Sequence, residues 1–457
     1  MKTFDLIVLG GGRASHLAVK AGKAGWSVAL IEKSALGGTC PNRGCVPSKL
    51  LIGYANVARA IKDASRHFIK ASIEDIDVEK IFEETNKYIL SIDSSYESKF
   101  NENVEIFRGE GKFISDNVIE VNAQKLTAKK IVIATGARPN EPYHVKAWTS
   151  DDLFPLERKI PKSITIVGSG FVACELANFF DAIGIETKLL VRSQTLLSHE
   201  DSEISEIFKN EFSKNVDIAF ETTIETIEYK DGMFHMSLVD KSANTSEHSS
   251  EAVLYATGRK SNADKLGLEN TTIEVDKRGY IKQDAFFETT AKGVYVVGDA
   301  SGIHMLQHAA SYEVNHLGKV LLEEWKEPLV FKYMPHAVFT DPEIASVGMS
   351  EESAKKSGVA YVTCTTNWLA SAKAMSLRIT YPITKLIVNP NTYEILGAHL
   401  IGPDSATMMH QILAIMHIDN DIRHLKEMLY IHPALSEALL PAAVKAVGKV
   451  NKYRESR

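Results

Sequence analysis

The feature that most constrains this chain is a short apolar strand running straight into glycines, and it occurs twice. Phe4 to Leu9 reads Phe-Asp-Leu-Ile-Val-Leu. Gly10-Gly11-Gly12-Arg13-Ala14-Ser15 follows, then a helical pattern to Gly25 and a second strand, Ser27 to Ile31, ending in Glu32. The acid falls about 20 residues after the glycines, the spacing of a dinucleotide-binding βαβ unit. Gly10 permits the tight turn and Gly12 lets backbone approach a pyrophosphate. The helix N-terminus then offers free N–H groups and the positive end of its dipole. Glu32 is placed to accept hydrogen bonds from an adenosine ribose, and Lys33 is grouped with it as a binding candidate. Ser15 stands where a third glycine is usual.

The second copy begins with the strand Ser163 to Val167. Gly168-Ser169-Gly170-Phe171-Val172-Ala173 opens a helix, and Thr187 to Val191 is the next strand. Here the ribose-reading position is Arg192. A carboxylate would favour the 2′-hydroxyl of NAD and repel the 2′-phosphate of NADP, whereas an arginine pairs with that phosphate bidentately. Ala173 replaces the third glycine. Ser198, six positions past Arg192, supplies no second cation. Apolar strands closing in Ala134-Thr135-Gly136 and in Ala256-Thr257-Gly258 return the chain past each site. Two dinucleotide units are therefore expected.

Directly after the first unit lies Gly37-Gly38-Thr39-Cys40-Pro41-Asn42-Arg43-Gly44-Cys45-Val46-Pro47-Ser48-Lys49, with two of the chain's 4 cysteines. A regular helix would separate Cys40 and Cys45 by roughly 7.5 Å along its axis. A disulfide needs Cα atoms about 4.4–6.8 Å apart. The backbone between them must be irregular, and Pro41 and Gly44 are available to distort it. A static staple, two unpaired thiols and a disulfide that opens during turnover all remain open on spacing alone. The dinucleotide unit leading into the stretch favours the last. Four cysteines in 457 residues are no disulfide framework, and Cys174 and Cys364 read as inert core thiols.

The stretch Gly-Gly-Thr-Cys-x-Asn-x-Gly-Cys-x-Pro-Ser-Lys resembles the redox motif of the flavoprotein disulfide reductases, the class I pyridine nucleotide-disulfide oxidoreductases. Among these the chain is most similar to mycothione reductase, then to dihydrolipoamide dehydrogenase and glutathione reductase. The resemblance implies an α/β chain with two Rossmann-like domains, for FAD and for NADP(H) or NAD(H), and a C-terminal α+β dimerisation domain. The expected limits are 1–145 and 263–330 for the two parts of the FAD-binding domain, 146–262 for the NAD(P)-binding domain and 331–457 for the interface domain.

It also implies roles. Cys45 is the thiol beside the flavin and the charge-transfer thiolate, and Cys40 is the interchange thiol. Lys49 lies near the flavin, paired with Glu175. Gly38 and Thr39 join Gly10, Gly12, Ala134, Thr135 and Gly136 in the FAD site. Asp299, in Val296-Val297-Gly298-Asp299-Ala300, binds the ribityl chain. His308 and Ala309 open a helix facing the pyrimidine. Gly168, Gly170, Phe171, Ala173, Arg192 and Gly258 form the nicotinamide-nucleotide site, with Phe171 at the position of a gating aromatic. Ile431-His432-Pro433-Ala434-Leu435-Ser436-Glu437 resembles the His-Pro-x-x-x-Glu motif, whose His is the acid/base and acts on the partner subunit, so a homodimer is required.

The activity implied is NAD(P)H-dependent reduction of a low-molecular-weight disulfide, mycothione- or glutathione-reductase-like, with NADPH favoured. Two other readings are dihydrolipoamide dehydrogenase, acting on lipoyl groups of a partner protein, and a non-catalytic flavin redox sensor. The extra C-terminal cysteine pair of mercuric reductase is absent. Net charge is −6, so nothing points to nucleic acid or an anionic membrane. No apolar run approaches the ~18 residues of a membrane span, no signal peptide is read at Met1, and no metal site is expected. A reducing, cytoplasmic setting is the expectation.

Overall fold

The computed structural model describes residues 1–457. Three of its five sheets organise it. In the first, Val104–Arg108, Val28–Glu32, Lys2–Leu9 and Gln124–Ile133 lie side by side, all parallel. The far edge of Gln124–Ile133 is shared: Val118–Val121 pairs antiparallel with its first half, and Val294–Val296 pairs parallel with its second. A segment 163 residues downstream of its partner thus completes the first sheet.

The strand Lys2–Leu9 shows why its sequence is a continuous apolar run. Leu6 and Val8 join one core with Leu17, Ala18 and Leu317, from the helices Ser15–Lys23 and Gln307–Leu322. Ile7 and Leu9 join another with Ile31, Phe113 and Ile281. Both faces are covered, as parallel sheets require.

The second sheet is wholly parallel, in the order Asp217–Phe220, Glu186–Val191, Ser163–Val167, Ala252–Tyr255. The third is wholly antiparallel, in the order Pro335–Val338, Ile344–Gly348, Ile395–Ile401, Ile383–Val388, Val362–Asn367. The helices Ser405–Ile418 and Leu439–Glu455 share its core.

One expectation changes. The helical periodicity of residues 50–100 reads as two amphipathic helices over the first sheet. The helix instead begins at Cys45 and ends at Lys62, so Ile61–Phe68 is not helical throughout; a short 3₁₀ turn follows, closed by Phe68 at φ 62°. The helix Cys45–Lys62, with Val78–Leu90, buries Leu51, Ala55, Ile81 and Phe82 against Leu176, Phe179 and Phe180 of the helix Phe171–Ala182. Arg59 and Asp181 lock the two helices at 2.6 Å. The redox helix is therefore mounted on the second nucleotide unit as much as on the first.

Candidate functional site

The first glycine turn and the redox stretch face one another. Gly10 sits at φ 105°, and a Cβ there would lie 2.3 Å from the carbonyl oxygen of Ala134. Only glycine closes the turn against Ala134-Thr135-Gly136. Gly38, at φ 72°, would place a Cβ 2.7 Å from Gly12 Cα. Backbone meets backbone where the redox stretch begins.

Beside this contact lies a cavity of about 350 Å³. Gly10, Gly12, Glu32, Lys33, Gly38, Thr39, Cys40, Ala134, Thr135, Gly136 and Asp299 all line it, with Arg13, Arg43 and Asp151. Glu32 Oε2 accepts from the Gly11 N–H at 2.7 Å and Oε1 from the Ser34 N–H at 2.8 Å. Oε1 also accepts from Ser34 Oγ at 3.2 Å, and Oε2 keeps a lone pair for a ribose hydroxyl. Lys33 leans outward to Glu110 at 3.3 Å. Burial holds the carboxyl of Asp299 above the usual range.

Four residues expected at cofactors lie outside this wall. Ser15 and Ala309 are buried. His308 donates from Nε2 to the Pro335 carbonyl at 2.9 Å, and the wall at that helix start is Gln307 and Ala310. Lys49 lies further along, in the redox helix.

Whether the cavity suits a flavin dinucleotide is answered by its orphaned polar atoms. Arg13 Nε, Asn42 Oδ1, Thr135 Oγ1 and Asp151 Oδ1 are buried without a partner in the protein. Such atoms call for a polar ligand. Together with the thin glycine wall and the ribose-reading acid, they fit FAD.

The redox stretch solves its spacing problem at Gly44. A short helix, Thr39–Arg43, stops there, and a new one starts at Cys45. Gly44 packs tightly: a Cβ would be 3.2 Å from the Thr39 carbonyl oxygen. Cys40 and Cys45 are both free thiols, within hydrogen-bonding reach of each other. The bond from Cys40 draws the Cys45 pKa down to about 7, with help from the Lys49 charge. The same bond, with burial, pushes Cys40 well up. These directions favour the singly protonated pair, with its proton on Cys40.

Lys49 lies four residues past Cys45, on the same helix face. Its Nζ meets Glu175 Oε2 at 2.6 Å, and Glu175 Oε1 accepts from the Phe339 N–H at 3.0 Å. The Phe339 ring lies 4.7 Å from the Lys49 ammonium. One carboxylate thus joins the redox helix, the second nucleotide unit and the third sheet's approach segment.

His432 Nδ1 donates to Glu437 Oε1 at 2.8 Å, and Glu437 Oε2 accepts from the Ala434 N–H at 2.8 Å. The two bonds to Glu437 hold its carboxyl below the usual range, the Ala434 N–H more strongly than His432. The His432 side chain itself is 74% exposed.

At the second unit, Gly168 has φ 147° and a Cβ there would meet the Ala256 carbonyl oxygen at 2.5 Å, repeating the first turn. Ala173 is buried beneath it, and Gly170, Phe171, Arg192 and Gly258 are exposed. Arg192 forms no ion pair or side-chain hydrogen bond within the chain, so its guanidinium is free for a ligand.

Residues 4–313 match the pyridine nucleotide-disulphide oxidoreductase family, and residues 334–443 match its dimerisation domain. The chain belongs to this family. Mercuric reductase of Lysinibacillus sphaericus is 30% identical over 96% of this chain and 82% of its own length. Dihydrolipoyl dehydrogenase of Chlamydia pneumoniae is 29% identical over 97% of each. Among solved structures, the HOCl-induced flavoprotein disulfide reductase RclA from Escherichia coli is 26% identical, with a TM-score of 0.85 over 96% of this chain and 99% of that one. The α/β fold and the sulfur-group oxidoreductase class expected from the sequence are those of the family, which uses FAD and NAD(P)H. No helix is long and apolar enough to cross a membrane.

Against this family background, the sequence reading missed Glu313. It is 1% exposed and accepts from the Gly298 N–H at 2.6 Å, beside Asp299. Burial raises its pKa to about 7. A signal was present: Ala309, Glu313, Leu317 and Leu321 recur every four residues on one buried helix face, and one of them is an acid. Arg13, Arg43 and Asp151 were also missed as cavity residues, and only the fold brings them together.

Proposed function

We propose that this oxidoreductase takes two electrons from NADPH, by way of FAD and the Cys40–Cys45 disulfide, to a low-molecular-weight disulfide. The balance is one hydride and one proton in, and two thiols and NADP⁺ out. The observation that carries the reading is a pair of free cysteines beside the glycine contact, with Cys40 in the cavity wall. FAD, when bound, supplies the passage of the electron pair between nicotinamide and the thiols.

The chain's residues do the rest. Lys49, held by Glu175, favours negative charge at Cys45. Cys40 keeps the shared proton until a base removes it, and then attacks a substrate sulfur to form a mixed disulfide. The first substrate thiolate leaves with that proton. Cys45, as thiolate, next attacks Cys40, restoring the disulfide and releasing the second substrate thiolate, which takes from solvent the proton that was given up when the Cys45 thiolate formed. The base is the partner subunit's His432, oriented by its glutamate. The exposure of His432 within one chain and the dimerisation domain support that assignment. An imidazole suits proton transfer near neutrality. Domains divided at 1–145, 146–262, 263–330 and 331–457 would place these parts as described.

The mycothione-like substrate rests on sequence features such as Phe171, Arg192 and Tyr430-Ile431-His432-Pro433-Ala434-Leu435. A second reading, oxidation of dihydrolipoyl groups, is favoured by relatives that carry that name and match end to end. Three relatives are named mercuric reductase, and one solved neighbour is a Cu(II) complex. A metal acceptor here would meet only Cys40 and Cys45, because Cys174 and Cys364 are buried.

The test is NADPH against NADH, each with small disulfides, lipoamide, Hg(II) and Cu(II). NADPH with a small disulfide should be fastest. Arg192→Glu should shift preference toward NADH by roughly 10- to 150-fold, the worth of a charged bidentate contact. Fast NAD⁺-dependent oxidation of dihydrolipoamide, with small disulfides slow, would establish the second reading instead.

A further inference from the structure

The segment from Arg192 to Asp201 links the last strand of the second unit to the helix Ser202–Phe212. It carries the proposed 2′-phosphate reader at one end. Midway it touches the glycine turn, where the Leu197 N–H donates to the Ser169 carbonyl at 2.8 Å. Its other end is anchored outside its own unit. Asp201 is fully buried, and its Oδ1 receives Lys385 Nζ at 2.9 Å. Lys385, on the strand Ile383–Val388 of the third sheet, is 2% exposed. Its ammonium also meets Glu351 at 2.7 Å and Glu203 at 3.2 Å. All three of its N–H donors therefore have carboxylate partners. Glu200, next to Asp201, is held twice from the same sheet: His336 Nε2 donates to it at 2.7 Å and Ser346 Oγ at 2.6 Å.

A buried ion cluster of this kind is a poor source of stability, because desolvation offsets most of the attraction. Its best-attested use is to fix register between elements. One cation facing three carboxylates also leaves no satisfactory alternative position for the segment. Without Lys385, the buried Asp201 charge would face no cation and keep only the N–H groups of Glu203 and Glu351, at 3.1 and 3.0 Å, a costly state that favours a shifted segment.

We infer that Lys385, with His336, positions the Arg192–Asp201 segment, so that the C-terminal domain sets nicotinamide-nucleotide affinity and discrimination. These are positioning residues, since neither reaches the nucleotide site. The inference rests on the reading of Arg192 as the 2′-phosphate contact.

The test measures dissociation constants of NADP⁺ and NAD⁺ on the FAD-loaded dimer of three variants. Lys385→Met should weaken NADP⁺ by about tenfold, the scale of one lost charged hydrogen bond. NAD⁺ should weaken less, so discrimination falls while bound FAD is retained. His336→Ala, at the half-exposed edge of the cluster, should shift both in the same direction by less, and it decides the matter should Lys385→Met not fold. A folded variant with both constants unchanged overturns the inference, because a purely structural staple would affect stability alone. A uniform loss for both nucleotides would also count against it. Arg192→Ala separates the two claims. Should it leave NADP⁺ binding unchanged, the phosphate reading fails, and the clamp is judged on NAD⁺ through the Leu197–Ser169 contact.

Discussion

At the residue scale, the account turns on which thiol holds the shared proton. The hydrogen bond from Cys40 is the largest reason for the low pKa of Cys45, with Lys49 second. Alkylation of Cys45 in the reduced protein should therefore rise with pH about a midpoint near 7. In Cys40→Ala the midpoint should move up toward the ordinary thiol value of about 8.5. A midpoint unmoved in that variant would assign the effect to Lys49 instead. The same shift has a signed consequence for stability. Between about pH 7 and the ordinary thiol range near 8.5, the reduced folded protein has released a proton that the unfolded chain still holds. Stability from Cys45 is full above that range and is lost as pH falls through about 7. Above it, Cys40 acts in the opposite sense, keeping a proton the unfolded chain has given up. His432→Ala should lower turnover by about 10²–10⁴-fold, the usual range for a general acid/base. Stopped-flow reduction of the flavin by NADPH should be nearly unaffected, and an equal loss in both steps would contradict the assignment.

At the element scale, the glycine turns and the redox stretch were legible because each needs unusual backbone. Gly10 and Gly168 close against carbonyl oxygens of Ala134 and Ala256 in the same way, and sequence spacing alone marks both. That the backbone breaks between the cysteines was legible too, since two cysteines five apart cannot approach on a regular helix, but that it breaks at Gly44, with Pro41 inside the short helix, was not. What was not legible is placement. Periodicity marks residues 50–100 as amphipathic helix, yet it does not say that the apolar face of Cys45–Lys62 meets the helix Phe171–Ala182 rather than the first sheet. Glu313 and the Lys385 cluster were hidden for a related reason: a buried charge is recognised only through partners distant in sequence. Gly10→Ala should lose FAD, because the added Cβ collides with backbone and the φ of 105° is strained for alanine, costing about 1–3 kcal/mol. Flavin content on purification and the thermal midpoint check this. A yellow variant with wild-type flavin content would show that the turn tolerates a side chain.

At the scale of the whole molecule, one carboxylate, Glu175, joins the redox helix, the second unit and the C-terminal domain, and one lysine, Lys385, joins the last two. The first joins the redox helix to the second unit and to Phe339. The second joins the nucleotide segment to the C-terminal sheet. The repeated glycine motifs were readable in the sequence, but these junctions were not, since they pair single polar residues 126 and 184 positions apart. The central claim is that electrons from NADPH open one disulfide, Cys40–Cys45. The direct measurement is anaerobic reduction of the oxidised holoenzyme with NADPH, trapping with a thiol-alkylating reagent and mapping of the label by peptide mass. The account predicts new label on Cys40 and Cys45 and none on Cys174 or Cys364. Label at the buried cysteines, or no NADPH-dependent label at either residue of the pair, would contradict it.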